Sequence, residues 1–188
     1  MKEGNVCVTS KKVYIILTDT GTLFTRCIKL FTRKPHNHAS ISFDPQLNEV
    51  YSFGRRKPSN PFIGGFVKEN VQHDFFRNSR CIIYSISVTE VQYEKMKNKI
   101  EQMEIEQRNY RYNLLGLLFI LFKIQYNRKN AYFCSQFVAS ILHDSGVLLF
   151  NKPPCLITPY DLLDEYKMER VYEGKLHLYP LVFRKTAA

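Results

Sequence analysis

The stretch HASISFDPQLNEVYSFGR, residues 38 to 55, decides the fold because it contains two strands and the turn between them. HASISFD alternates in character, as a strand does when one of its faces is buried. PQLN is typical of a turn, and EVYSFGR returns as the partner strand. We therefore predict a β-hairpin whose first strand opens on His38.

Three other segments are predicted to be strands. KKVYIILT (residues 11–18) and CIIYSISV (residues 81–88) are rich in β-branched and aromatic residues, and VYEGKLHLYPLVF near the end of the chain has the same character. Residues 56–65, in contrast, hold two prolines and two glycines, so we predict a surface loop there. Loops in the region 56–76 are expected to set specificity.

Helical periodicity occurs in several places. TLFTRCIKLFTR (residues 22–33) has one apolar face, and Pro35 follows it. Thr89 and Gln92 have the spacing of a capping box and open a long helix ending near residue 108. The expected apolar face of that helix consists of Val91, Met96, Ile100 and Met103.

Three shorter helices are predicted in the second half of the chain. Residues 114–124, which begin LLGLLFILF, are expected to form a buried helix. Residues 133–143 form another, with Gly146 as its C-terminal stop. In ITPYDLL, Thr158 is the expected cap and Pro159 the first helical residue. Residues 1–188 are thus predicted to form one α+β domain.

Composition limits the classes of function. The 188 residues include no run of about 18 apolar residues, and the N-terminus lacks the order of a signal peptide, so we expect a cytoplasmic protein. The five cysteines contain no CxxC pair and are expected to be thiols, without a disulfide framework or a zinc knuckle. We predict no cofactor.

The formal net charge is +10, but the basic residues come in small groups. No long basic run or RNA-binding motif is present, so we expect a solvated basic surface and no nucleic-acid partner. A peripheral contact with an anionic membrane is compatible with the same charge.

Cys134, in AYFCSQFVASIL (residues 131–142), falls in the first turn of a predicted helix. Packing alone would explain a buried cysteine. A helix N-terminus also favours a thiolate, because unpaired amides and the positive end of the helix dipole point at it. The same amides can stabilise an oxyanion. Cys134 is therefore either a core residue or a nucleophile.

A cysteine nucleophile needs a base, and His38 at the start of the hairpin is the candidate. His36 lies two residues earlier and competes for the role. A third polar group usually holds such an imidazole in one tautomer. The partner strand offers Ser52 for this position, with Glu49 near the turn as the alternative.

Four short motifs together resemble a known family. NHASISFD, VYSFG, FCSQFVASIL and ITPYDLL, in this order, are similar to the circularly permuted papain-like hydrolases of the NlpC type, especially the YiiX/YaeF-like group. In that family a histidine opens a strand and the cysteine begins a later helix. The resemblance covers about residues 13–172, and it implies a small antiparallel sheet packed against helices that include the cysteine-bearing helix.

The resemblance also implies a site and a reaction. Cys134 would attack an amide or ester carbonyl, His38 would act as base and acid, and Ser52 would orient His38. Relatives often have Glu or His at this third position, and many have a Gly-Asp pair in the first strand, so this chain departs from the pattern twice. Tyr112, Tyr132 and Phe133 are either pocket or core residues.

Several functions stay open at this point. The leading expectation is a cysteine amidase or peptidase that acts on small peptides or amino-acid conjugates. A lipid acyltransferase or esterase is the alternative, based on the basic surface and on residues 114–124. A binding module, with Cys134 and His38 too far apart to react, is another. Zinc binding by His36, His38 and Cys134 is a weaker possibility, because their spacing is not that of a metal site.

Overall fold

A computed structural model of the chain describes residues 10–19, 35–57, 60–73, 76, 79–163 and 167–180. The strands are β1 (Ser10–Asp19), β2 (His38–Ser42), β3 (Val50–Lys57), β4 (Asn60–Glu69), β5 (Arg80–Thr89), β6 (Arg111–Tyr112), β7 (Ala131–Tyr132) and β8 (Met168–Lys175). The α-helices are α1 (Glu90–Ile105), α2 (Leu114–Phe119) and α3 (Cys134–Asp144), and short 3₁₀ helices lie between these elements. The helix predicted at residues 22–33 lies outside the described residues.

Six strands form one antiparallel sheet in the order β4-β3-β2-β1-β5-β8. The predicted hairpin is confirmed, since Ile41 lies opposite Tyr51 and Ser42 opposite Val50. β6 and β7 form a separate two-stranded parallel pair. The α+β class is thus confirmed.

The loop predicted at residues 56–65 is wrong, because β3 continues to Lys57 and β4 begins at Asn60. β4 is an edge strand, where proline is tolerated since one side of the strand needs no ladder bonds. The two glycines serve close packing. A Cβ on Gly65 would lie 2.6 Å from the carbonyl oxygen of Tyr110, and one on Gly64 would lie 2.8 Å from Cβ of Tyr112.

Helix α1 begins as predicted. Thr89 Oγ1 accepts from the amide of Gln92, and Gln92 Oε1 accepts from the amide of Thr89. Met96, Ile100 and Met103 are buried, but Val91 is 66% exposed. The reason is geometric, because a step of five positions at about 100° each places Val91 about 140° around the helix from Met96, away from the buried face.

The apolar segment 114–124 is not a buried helix. It forms α2 and the 3₁₀ helix Ile120–Phe122, and several of its large side chains point into solvent. Its exposure is a consequence of position, since it connects β6 to β7 rather than lying across the sheet. Among the described residues, no helix is both long enough and apolar enough to cross a bilayer.

The main hydrophobic core lies between one face of the sheet and helices α1 and α3. Phe53 of β3, Phe66 of β4 and Phe137 of α3 are fully buried and pack against one another, with ring centroids 5.2–6.0 Å apart. Because these rings join α3 to β3 and β4, they fix where the first turn of α3 lies relative to the hairpin.

Candidate active site

Cys134 is the first residue of α3, and Phe133 is the N-cap with an extended backbone. The Phe133 side chain has no polar atom, so it cannot cap the amides of the first turn. Its ring is fully buried, which anchors the chain just before the helix. The first-turn amides are therefore left for whatever lies beside the Cys134 sulfur.

The first turn of α3 is held in place by buried polar side chains. Ser135 Oγ donates to the carbonyl oxygen of Ile157 at 2.7 Å. Gln136 Nε2 donates to Asn127 Oδ1 at 3.2 Å, and Asn113 Nδ2 donates to Gln136 Oε1 at 3.4 Å. These contacts tie the start of the cysteine helix to the segments on both sides of it.

The ITPYDLL motif also holds the first turn of α3 in position. Residues Pro159–Leu162 form a 3₁₀ helix, and Thr158 is its cap as predicted, with Asp161 completing a capping box. Pro159 is the first residue of this helix. The contact of Ser135 with the preceding carbonyl oxygen docks the motif against α3.

His38, the first residue of β2, is engaged on both sides of its ring. Nε2 donates to Glu69 Oε1 over 2.7 Å. The Cys134 side chain interacts with His38 through charge and hydrogen bonding. Because Nε2 is used by Glu69, Nδ1 is the ring nitrogen that remains for the sulfur. The structure thus brings Cys134 and His38 together, although 96 positions separate them in the sequence.

Glu69, the last residue of β4, is a buried carboxylate with three hydrogen-bond donors. Oε1 accepts from His38 and, at 2.6 Å, from Ser52 Oγ. Oε2 accepts from Ser40 Oγ at 2.6 Å. Its side chain is only 7% exposed, so these donors replace the water that an ionised carboxylate needs.

His38 and Glu69 shift each other's pKa in opposite directions. Burial lowers the pKa of His38, but the negative charges of Glu69 and Cys134 and their hydrogen bonds outweigh it and raise the pKa from 6.5 to about 10. Burial raises the pKa of Glu69, but the His38 charge and the hydrogen bonds from His38, Ser40 and Ser52 outweigh it and hold the pKa below 4.5. At neutral pH the pair is therefore an imidazolium and a carboxylate.

The orienting position differs from the sequence expectation. Ser52 donates to Glu69 and supports the carboxylate instead of meeting the imidazole with its own hydroxyl. Glu49, the alternative, is directed to Lys97 at 2.8 Å and Lys68 at 4.0 Å. The physical reason is the extra strand, because β4 brings a stronger acceptor to the place that the hairpin alone would leave to a serine.

His36, the competing histidine, lies elsewhere. Its Nδ1 is 2.8 Å from the hydroxyl oxygen of Tyr160, and its side chain is buried. Within the described ranges, no three His, Cys, Asp or Glu side chains are grouped closely enough to hold a metal ion.

Aromatic side chains close the site. Phe133 is a core residue, and Tyr132 packs against Phe53 with ring centroids 5.1 Å apart. Burial raises the pKa of Tyr112, and the Cys134 charge raises it further, which places this phenol near the sulfur. Cys134 is itself buried, with only 4% of its surface exposed.

Sequence reasoning missed Glu69 because the segment before it was assigned to a loop. The available signal was the pair Phe66 and Val67, two residues of high strand propensity that stand shortly before Glu69. In an antiparallel pair, the register that places Ser52 opposite Val67 also brings Glu69 to the same face two residues later.

No protein-family model, curated protein or solved structure matches this chain. Inference about its function therefore depends on the geometry of the site and on the motif resemblance described above.

Proposed function

We propose that the protein is a cysteine hydrolase of the permuted papain-like kind, with Cys134 as nucleophile, His38 as acid and base, and Glu69 as the residue that orients His38. One observation carries the proposal: a buried imidazole lies between a helix-terminal sulfur and a buried carboxylate that is fully supplied with donors. An imidazole held on both sides in this way is the arrangement that nucleophilic catalysis by cysteine requires.

The resting charges suit this chemistry. With the pKa of His38 raised, its imidazolium stabilises a thiolate at Cys134, and the thiolate is the reactive form of the sulfur. Glu69 keeps the positive charge on the ring and fixes its orientation through Nε2. Nδ1 is then the ring nitrogen left to exchange a proton with the reacting atoms.

The reaction proceeds in two stages. The Cys134 sulfur attacks the carbonyl carbon of an amide, and the carbonyl oxygen becomes an oxyanion. When this intermediate collapses, the carbon–nitrogen bond breaks, His38 gives its proton to the leaving amine, and a thioester remains on Cys134. Water then attacks the thioester, His38 takes the water proton, and the acid leaves as the thiolate returns.

The oxyanion needs donors that are in place before the reaction begins. The backbone amides of the first turn of α3 lie beside the sulfur, and the apolar side chain of the N-cap Phe133 cannot hydrogen-bond to them. The hydrogen bonds of Ser135 and Gln136 keep this turn from shifting. The same turn therefore supports both the thiolate and the intermediate that it forms.

Two features support the proposed family: the order of the two reacting residues along the chain and the identity of the third residue. His38 precedes Cys134, as the permuted arrangement requires, and a glutamate occupies the orienting position, as in many relatives. The apparent departure at Ser52 thus has an explanation, because Ser52 is a donor to that glutamate.

The test is to trap the acyl-enzyme. The full chain is mixed with p-nitrophenyl acetate, and intact-mass and peptide mass spectrometry follow transfer of the acetyl group. We expect one acetyl group on Cys134, its loss in Cys134→Ala, and slower transfer in His38→Gln. His36→Gln is the matched control and should react like the unaltered chain.

Two results would overturn the proposal. One is acetylation spread equally over Cys134, Cys81 and Cys155, since all three are free and buried and only Cys134 is expected to be activated. The other is an acylation rate unaffected by His38→Gln. Either would favour the non-catalytic binding module. After acylation is established, a panel of aminoacyl and dipeptidyl coumarin amides identifies the amide class.

A further inference from the structure

The segment of residues 114–124, here named the apolar ledge, exposes large hydrophobic side chains next to the candidate active site. Leu115, Leu118, Phe122 and Ile124 are 47%, 46%, 71% and 50% exposed. The first three are spaced by three and four residues, so they share one side of the helical segment. Such a row of apolar side chains is unlike the scattered single exposures that are normal on a protein surface.

The apolar ledge is held firmly against the cysteine helix. Asn113 caps α2 by accepting from the amide of Gly116 at 3.1 Å, and its Nδ2 reaches Gln136 of α3 and the carbonyl oxygen of Tyr126. Gln136 also donates to Asn127. Both ends of the ledge are therefore fixed to the helix that begins at Cys134, so its exposed side is presented in a defined orientation.

The return of the chain is also ordered. The amide of Ile124 donates to the carbonyl oxygen of Phe119 at 3.0 Å, and the rings of Phe119 and Tyr126 pack edge to face with centroids 5.1 Å apart. Lys123, with φ of 56°, makes the reversal between them. The exposed side chains therefore belong to a folded element.

The residues that precede and follow the apolar ledge in the sequence carry only positive formal charge. Between Glu106 and Asp144 there is no acidic residue and there are five basic ones. All five are exposed: Arg108, Arg111, Lys123, Arg128 and Lys129. Across the described ranges, none of these five side chains takes part in an ion pair. Their charge is available to an anionic partner.

From these observations we infer that the apolar ledge docks the protein on the surface of an anionic phospholipid bilayer. Apolar side chains that enter the lipid interface, flanked by lysines and arginines at headgroup level, form a typical interfacial contact. The ledge is much too short to span a bilayer. Because Asn113 and Asn127 join the ledge to Gln136, two residues after Cys134, docking would bring the candidate site near that surface.

Charge complementarity selects this occupant over a second copy of the chain. Two copies facing each other through the ledge would bring ten like charges together, which costs free energy. An anionic bilayer instead attracts each basic residue by about 1 kcal/mol near its surface.

The experiment is a flotation assay with the full chain. Vesicles contain either phosphatidylcholine alone or phosphatidylcholine with about one third phosphatidylserine. We expect binding to the second kind only, at an ionic strength of about 0.01 M, and its loss near 1 M, where charges are screened within about 3 Å. Cys134→Ser should bind equally well, so failure of the hydrolase proposal is seen separately from failure of this one.

Matched variants locate the contact. Leu118→Asp and Phe122→Asp should each weaken binding at least about ten-fold, because each loses an inserted side chain and gains a charge. Lys123→Glu and Lys129→Glu should each weaken it about five-fold or more. Leu149→Asp and Lys95→Glu change exposed residues on other elements and should leave binding unchanged.

Two results would overturn the inference. One is an absence of binding to the anionic vesicles, or binding that Phe122→Asp leaves intact while the variant stays folded by circular dichroism. The other is a dimer in sedimentation velocity that Phe122→Asp dissociates, without vesicle binding, which would assign the ledge to a second copy.

Discussion

Glu69 Oε1 lies 2.7 Å from His38 Nε2, although 31 residues separate the two in sequence. The contact depends on the edge strand β4, which ends at Glu69, and it gives a strand-borne histidine a buried counter-charge. An imidazole with such a partner keeps its proton at pH values well above the pKa of an unperturbed histidine. This relationship makes the site testable by titration and by stability as well as by activity.

The first prediction concerns the charge of His38. Glu69→Gln removes the carboxylate that raises the pKa of His38, so that pKa should fall from about 10 toward 6.5. Nitrogen NMR of the imidazole across pH measures the change. Glu49→Gln, which alters a partly exposed carboxylate directed to Lys97, should leave the His38 titration unchanged. Equal titration of His38 in all three proteins would contradict the assignment.

The second prediction concerns stability and pH. His38 has a raised pKa in the folded chain, so its contribution is complete below about pH 6.5 and is lost as the pH rises through about 10. Glu69 has a lowered pKa, so its contribution is present above about pH 4.5 and is lost as the pH falls. His38 and Glu69 together therefore stabilise the fold most between about pH 4.5 and about pH 6.5.

Glu69→Gln should therefore lower the free energy of unfolding by about 3 kcal/mol near pH 6, and by less at pH 10. Urea unfolding at the two pH values, with Glu49→Gln as reference, measures the difference. A loss of the same size at both pH values would mean that the pair is not linked to titration as described.

The third prediction tests whether Ser52 supports Glu69 or orients His38 directly. Ser52→Ala and Ser40→Ala each remove one donor to Glu69, so both should raise the pKa of Glu69 and cost about 1–3 kcal/mol of stability. Both should slow acylation by a similar modest factor, less than Glu69→Gln does. If Ser52→Ala alone matched the loss in Glu69→Gln, Ser52 would be the direct partner of His38 and this view of the site would fail.

The fourth prediction tests the close approach of β4 to the chain before β6. Gly65→Ala would place a Cβ 2.6 Å from the carbonyl oxygen of Tyr110, so it should destabilise the fold by about 2 kcal/mol or more. Gly54→Ala, whose Cβ would meet only ordinary contacts of 3.6 Å and beyond, is the control. Thermal unfolding that shows equal losses for both would contradict the packing described here.

Three features were predictable because a few adjacent residues determine each of them: the hairpin, the first turn of α3 and the capping box of α1. Alternation reveals β2, and Thr89 with Gln92 reveals the start of α1. Cys134 and His38 were predictable as candidates for the same reason. Each stands at the end of an element that local sequence defines.

Glu69 and the apolar ledge were not predictable because their meaning depends on position. Glycines that permit close packing look like turn residues until Tyr110 and Tyr112 are placed against them. An apolar run predicts burial, but residues 114–124 connect β6 to β7 outside the main core. In both cases the tertiary position of the segment, more than its local pattern, decides its structure and its role.

The most direct test of the central claim is the pH dependence of Cys134 alkylation by iodoacetamide, followed by peptide mass spectrometry. In the unaltered chain we expect Cys134 to react near neutral pH much faster than Cys81, whose pKa burial raises to about 12, and faster than the buried Cys155. His38→Gln should slow Cys134 about ten- to thirty-fold at pH 7, because the imidazolium that stabilises the thiolate is then absent. His36→Gln should change nothing. Overlapping pH profiles for the unaltered chain and His38→Gln would contradict the account.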